Sequence, residues 1–534
     1  MKRQWTTTGF VAATVLLIQQ SIGLAASTAT VPHQSLHLRV VVNSNQDGPV
    51  QPNEGLTLRE AIEVVNGTLS IDQLSNFEKA QVELLSAESR SRLEFNLPTT
   101  QTTIHLVKEL PALASPGLIV DGTTQPGYAN TVAIPELATP APVVAITPAE
   151  QAEVFRGLTV VADGITIRGL SLYGFTARHR STEVTPPADI FISHQLPPPD
   201  TSQQQPPGAD FPFRGRDIAP KDVVVENNWL GVSPDGRSPS VPSAFGVSIF
   251  NSSGTTIQRN QIANHTGSGI ITSVQAENLQ ISNNVIANNG LAGMPDAIRL
   301  EGNIRNTQIT SNLIQNNSGS AIFLFKPEGS VQIRDNTITF NGRRLNRAAI
   351  YLMGNEHEVL NNRISDQIGP GIVAAAYPQT HGNRIQGNQF SRLSGLSIDL
   401  VSQYSASSRD YQQGDGPNPL TSSYQQRRQT ANLGIEPPQF ISPEFFLSQQ
   451  DDSLALRGSA SPGSQVEIYR VGEGGAQGPL TQPLATAEVS DKGEFAITLT
   501  MLKAGDRISA TATAPRLGTS EPAPNAVVRS LGVN

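Results

Sequence analysis

One short pattern recurs seven times between residues 225 and 390: an aliphatic residue, two spacers, an asparagine, one spacer, an apolar residue. The asparagines are Asn228, Asn260, Asn284, Asn312, Asn336, Asn362 and Asn388, separated by 32, 24, 28, 24, 26 and 26 residues. A period of this size with variable insertions marks a solenoid. The apolar residues before the asparagines (Val225 to Ile385) and after them (Leu230 to Phe390) occupy stretches too short for helices and suit strands. A third strand opens most coils, as at 246–249, 297–300, 321–324, 349–352 and 371–373. The asparagines are expected at the bend between two strands, in the left-handed conformation they tolerate. Stacked amides can also bond to one another from coil to coil. Three short strands per coil give an all-β chain, a right-handed parallel β-helix.

Ends and composition narrow the function. Lys2 and Arg3, the apolar run Phe10 to Ile18 and the small residues at 23–25 read as an export signal over residues 1–25. The run is too short to span a bilayer, and no other stretch is apolar enough. The chain has no cysteine, which excludes disulfides, thiolate metal sites and a cysteine nucleophile. Its net charge of −8 is dispersed and offers no basic stripe for nucleic acid.

Strand 38–42 is followed by a turn-rich stretch and then by Thr57-Leu-Arg-Glu60, a capping box opening an amphipathic helix with Leu58, Ile62 and Val65 on one face. Such a helix covers the open end of a solenoid. Residues 71–90 read as a second helix, completing an N-terminal cap over 38–91. The segment 56–62, Leu-Thr-Leu-Arg-Glu-Ala-Ile, resembles the Cys-Ser-Leu-Arg-Glu-Ala segment that opens many secreted bacterial parallel β-helix repeat proteins of pectin-lyase-like architecture. Residues 120–128, 164–175 and 228–236 resemble that family too. Thr57 replaces the usual Ser, and the preceding Cys is missing. The resemblance spans about residues 38–530. It implies a β-helix over 92–400 and no agreed catalytic residues.

The span 176–220, rich in Pro and Gln and strand-like only at 190–192, breaks the period and reads as an insertion on one face. Residues 401–436 read as a linker. Five short strands within 437–529, with turns at 461–463 and 491–493, read as an immunoglobulin-like β-sandwich, an ending the same family often has.

Alternation assigns directions on the strand that opens each coil. With Ile298, Leu300, Ile322, Leu324, Ile350 and Leu352 inward, Arg299, Glu301, Phe323, Phe325, Tyr351 and Met353 point out. Aromatic rings beside a polar pair suit a sugar ring, a partner's apolar surface, or a covering loop from 176–220 or 401–436. Asp296, Glu301 and Asp399 are the acids to watch beside Arg299. His105, His265, His357 and His381 show no mutual spacing and read as surface residues. Phosphate loops, nucleophile elbows and paired-histidine metal motifs do not occur, so neither cofactor nor metal is expected. The sequence points to an exported, monomeric protein of the periplasm, cell surface or exterior. It would bind a polysaccharide, a cell-surface glycan or another envelope component without catalysis. The alternative is a polysaccharide lyase or glycoside hydrolase.

Overall fold

The computed structural model describes residues 36–128, 133–134, 139–177, 186–195, 218–376, 379–402, 412–420 and 424–530. The proposed export signal lies outside them. From His37 onward the chain is one compact unit.

Three long sheets run the length of the molecule, with 12, 10 and 9 strands. Apart from one antiparallel edge strand, Val82–Leu84, their pairings are parallel. Each strand bonds to its counterpart one coil away, and from Ile119–Asp121 onward every coil supplies one strand to each sheet. This is a right-handed parallel β-helix. The register stacks like on like: Ile257, Ile281, Ile309, Ile333, Val359 and Ile385 are consecutive partners, as are Ile270, Ile298, Ile322, Ile350, Ile372 and Ile398. These columns are buried in one continuous apolar core. A one-residue slip would turn a whole column outward, which fixes the register strongly.

The asparagine column is a hydrogen-bonded ladder. Each Nδ2 donates to the next coil's Oδ1 at 2.9–3.2 Å, from Asn228 through to Asn388. The same Oδ1 accepts the previous asparagine's backbone N–H. The expected left-handed backbone, however, falls one residue earlier, at Asn227, Arg259, Asn283, Ser311, Asp335, Asn361 and Gly387, with φ between 53° and 66°. The reason is geometric. The left-handed residue turns the chain and projects outward, which aims the following amide inward, where it can satisfy buried backbone groups.

A second ladder stands five residues further on: Asn289 donates to Asn317 at 3.0 Å, Asn317 to Asn341 at 2.8 Å, and Asn341 N–H to Gln367 at 3.2 Å. Left-handed residues precede its members too, at Asn288, Asn316, Phe340 and Asp366.

Both ends of the solenoid are covered. Helix Leu58–Asn66 opens with the capping box at Thr57 and Glu60, closes on Gly67 at φ 74°, and buries Leu58, Ile62 and Val65 against the first coils. Arg59 pairs with buried Asp47 at 2.8 Å and also donates to the carbonyls of Lys108 and Glu109. Residues 71–84 do not form the expected helix. They make one 3-10 turn, a four-residue helix Asn76–Lys79 and the edge strand Val82–Leu84, because Ser70 and Ser75 each start a new cap.

At the other end, strands of 439–530 form a three-stranded and a six-stranded sheet. Their residues bond to the first and third strands of the last coil, or to the residues just before them. Thr519 N–H donates to Asn383 O, Ile385 N–H to Thr519 Oγ1, Leu480 N–H to Ser397 Oγ, and Leu400 N–H to Glu521. Part of the open strand edge is thereby satisfied.

The span 176–220 is not wholly outside the coils. Ala188–Ile192 within it is a regular strand between Arg156–Val160 and Phe245–Ser253. Residues 190–192 of this strand are the run that reads as strand-like in the sequence.

Candidate functional site

Strand parity places Arg299, Phe323, Tyr351, Val373 and Asp399 in one register row on the outside of the nine-stranded sheet, with Glu301 beside Phe325 in the next row. The inward neighbours belong to the main core, whereas Phe323, Tyr351, Met353, Val373 and Ala375 form a separate cluster with Phe325 at its edge. That outer cluster is closed to solvent: Phe323 is 0%, Tyr351 2% and Met353 6% exposed. Ala348, Ala376 and Val401 pack in it. Ala348 N–H donates to Gln412 O, so the segment after the last coil returns over this face.

The polar rim is built around Arg299. Its guanidinium carbon lies 4.8 Å from the ring centres of both Phe323 and Phe325, a cation–π arrangement. Its Nε is 3.4 Å from Glu301 and its Nη1 3.8 Å from Asp296. Asp296 is fully buried and is held by Arg347 at 3.1 Å and by the Ser320 N–H. Burial pushes its carboxyl above the ordinary carboxylate range, against the pull of the two arginines. Asp296 and Glu301 thus converge on Arg299, while Asp399 lies four strands away, about 19 Å at the usual strand spacing. Arg299, Glu301 and the edge of Phe325 are the reachable parts of the patch.

Asp399 has its own surroundings. It accepts N–H groups from Asp415 and Gly416, and nearby Glu521 accepts those of Leu400 and Asn418. Burial, with the neighbouring Glu521 charge, pushes Asp399 up to about 8. Burial does the same to Glu521, to about 7. This carboxylate group fastens the last coil to the following segment and to the C-terminal sheets.

Two histidines read as surface residues are fully buried. His265 places Nδ1 2.8 Å from Asn289 Oδ1 and Nε2 2.8 Å from Asp189 Oδ2, and so heads the second ladder. His357 accepts the Val331 N–H on Nδ1, while Nε2 faces Met353 O at 2.9 Å. Burial lowers its pKa to about 4. Both replace an amide at a coil corner, a role that tandem asparagine spacing signals and histidine counting does not. Among the described residues no group of three or more His, Asp or Glu is placed to hold a metal ion.

The 12-stranded sheet differs from the nine-stranded one in having an outer face open to solvent. Its two outward rows run Thr256, Gln280, Gln308, Gln332, Glu358, Arg384 and Gln258, Ser282, Thr310, Arg334, Leu360, Gln386. All twelve are half-buried or exposed. Charges brace one another across coils, with Glu358 3.8 Å from Arg334 and 3.4 Å from Arg384, and Glu226 2.5 Å from Arg259. Sequence reasoning passed over this face because it followed the aromatic residues. The signal was the polar residues flanking the inward aliphatics, broken in these rows only at Leu360.

A family-model match agrees on architecture. The family model described as "Right handed beta helix region" matches residues 214–344 and 296–410. No curated protein matches the chain. Similar solved structures include the enzymatically active domain of bacteriophage CBA120 tailspike protein 2 (10% identity, TM-score 0.33, covering 79% of this chain and 69% of that one). Another is DFA-IIIase from Arthrobacter chlorophenolicus A6 in complex with GF2 (11%, 0.35, 70% and 97%). A third is a mannuronic acid specific polysaccharide family 6 lyase from human gut microbiota (14%, 0.33, 59% and 70%). No helix among the described residues is long and apolar enough to cross a membrane.

Proposed function

We propose that the chain is an exported β-helix protein that binds a polysaccharide or cell-surface glycan without turning it over. One observation carries this reading: the open outer face of the 12-stranded sheet, where side chains with paired donors and acceptors repeat at the strand spacing along the solenoid. An extended polymer of hydroxylated units meets matching hydrogen-bonding groups along the coils, with the carboxylates Glu226 and Glu358 already held by arginines. Arg299, Glu301 and Phe325 extend the contact around the coil, and the buried rings beneath them hold Arg299 in place.

The test is retention of the purified protein on immobilised polysaccharides, with assay of the eluate for reducing ends and unsaturated sugars. Retention without products, lost in the triple variant Gln280→Ala, Gln308→Ala, Gln332→Ala, is the expected result. Release of products would move the protein to the lyases or hydrolases. Equal retention of the triple variant would sink the sheet face as the contact.

A further inference from the structure

Where the last coils meet the C-terminal sheets lies a cleft of about 630 Å³. One wall is a corner of the solenoid. Asp335 and Asn361 are left-handed turn residues on successive coils and so project outward. Beside them Thr337, Arg363 and Gln389 are consecutive partners in the outward row of the next sheet. The opposite wall is Glu467, on strand Gln465–Val471, with Pro483.

The two walls differ chemically. Glu467 is committed: both carboxylate oxygens accept the Gly387 N–H at 3.1–3.2 Å, and Tyr469 donates its hydroxyl to it. Burial raises its pKa. Gly387 stands at the corner position that carries Asp335 and Asn361 two coils and one coil earlier, and having no side chain it lets the Glu467 carboxylate reach the backbone. The solenoid wall is uncommitted. Among the described residues Asp335, Thr337, Asn361, Arg363 and Gln389 make no side-chain hydrogen bond and no ion pair, although they face one cleft. Arginine and carboxylate pairs elsewhere on the surface are joined, as at Arg392 and Asp366.

We propose that this cleft binds a neutral oligosaccharide. A sugar hydroxyl both donates and accepts, and this wall offers an acceptor carboxylate, a donor guanidinium, a hydroxyl and two amides within two strand spacings. Asp335 and Arg363 cancel in charge, and the Glu467 carboxylate opposite disfavours a polyanion. Pro483 supplies an apolar surface for a ring face. The cleft volume lies within the ordinary range for small-ligand sites. The proposal rests on the glycan-binding reading and deepens it with a place and a ligand class. Because the walls belong to the solenoid and to the C-terminal sheets, a bound ligand ties the two together and stabilises the fold.

The experiment titrates the full chain with neutral hexasaccharides of gluco, manno and galacto configuration and with hexagalacturonate, by calorimetry and by the shift in melting temperature. At least one neutral hexasaccharide should saturate and raise the melting temperature, and hexagalacturonate should bind about tenfold more weakly or worse. The double variant Asp335→Gly, Arg363→Ala removes two exposed side chains and keeps the left-handed corner that Gly387 occupies one coil beyond Asn361. It should keep the unliganded melting temperature and lose about tenfold or more in affinity. Lys492→Ala, on an exposed turn outside both the cleft and the sheet face, should bind the hexasaccharide unchanged. Absence of saturation by any neutral probe, undiminished binding by the double variant, or preference for the uronide overturns the proposal. Polymer retention by a protein that binds no hexasaccharide removes the cleft alone. Hexasaccharide binding without polymer retention removes the sheet face alone.

Discussion

Asn312 donates from Nδ2 to Oδ1 of Asn336 at 3.0 Å, and the same oxygen accepts the Asn312 backbone N–H at 3.0 Å. Asn312 Nδ2 also reaches Ile281 O and Thr310 O, while its own Oδ1 serves Asn284. Replacement by leucine leaves buried donors and acceptors of three coils unpaired. Asn312→Leu is expected to cost about 2–4 kcal/mol. Asn303, half-buried and bonded only through Nδ2 to Glu277, is the comparison: Asn303→Leu is expected to cost about 1 kcal/mol or less. Urea unfolding of both variants checks the difference, and equal losses would remove the ladder as a source of stability.

Arg59 carries the N-terminal cap. The side chains of Arg59 and Asp47 are 3% and 1% exposed, and removing the cation leaves the buried carboxylate with the Val107 N–H alone and two carbonyls without a donor. Arg59→Ala is expected to destabilise by about 3–5 kcal/mol. Arg59→Lys should recover part of this and not all, since one ammonium cannot reproduce the two-pronged contact with Asp47. Thermal melts of the two variants decide it.

The carboxylates at the other end give the chain an alkaline weakness. Asp399 and Glu521 hold their protons to about 8 and about 7 in the folded state, above their unfolded values. The folded chain therefore binds more protons across that interval. The stability these groups contribute is complete below the ordinary carboxylate range and is lost as pH rises through 7 and 8. The loss between mildly acid and alkaline pH is expected to be on the order of 3 kcal/mol. Asp399→Asn should flatten the dependence even if it lowers stability at every pH. An unfolding series from acid to alkaline pH on both proteins reads the slopes, and parallel curves would show that Asp399 does not titrate there.

The coils were legible in the sequence because each carries the same chemistry at the same place. An inward aliphatic three residues before an asparagine has one register in which its whole column is buried. The second ladder was legible in principle, since Asn289, Asn317 and Asn341 follow the first asparagines by five residues. It was hidden by His265 and Gln367, which take the same position with different side chains. The directions of Arg299, Phe323 and Tyr351 followed from alternation, but alternation is local and says nothing of what returns over a face. The cleft was not legible at all. Asp335 and Arg363 meet Glu467 across more than a hundred residues of chain, and only the docking of the C-terminal sheets brings them together.

The outer aromatic cluster gives the last prediction. Phe323 and Tyr351 lie on adjacent strands with ring centres 5.6 Å apart and planes at 68°, an edge-on contact. Both are buried, yet neither belongs to the coil core, whose residues on the same strands are Ile322, Leu324, Ile350 and Leu352. Loss of both rings is expected to cost about 4–6 kcal/mol in the double variant Phe323→Ser, Tyr351→Ser, less than the sum of the single changes because the rings share a contact. The solenoid should persist beneath them. Amide protons of Leu324 and Leu352 should therefore stay protected from exchange under native conditions, while those of the segment packed over the cluster, such as Gln412 and Val401, exchange faster. An unchanged melting temperature would show that the rings are not held under cover in solution. Loss of protection at Leu324 together with Gln412 would show that the outer cluster and the coil unfold as one.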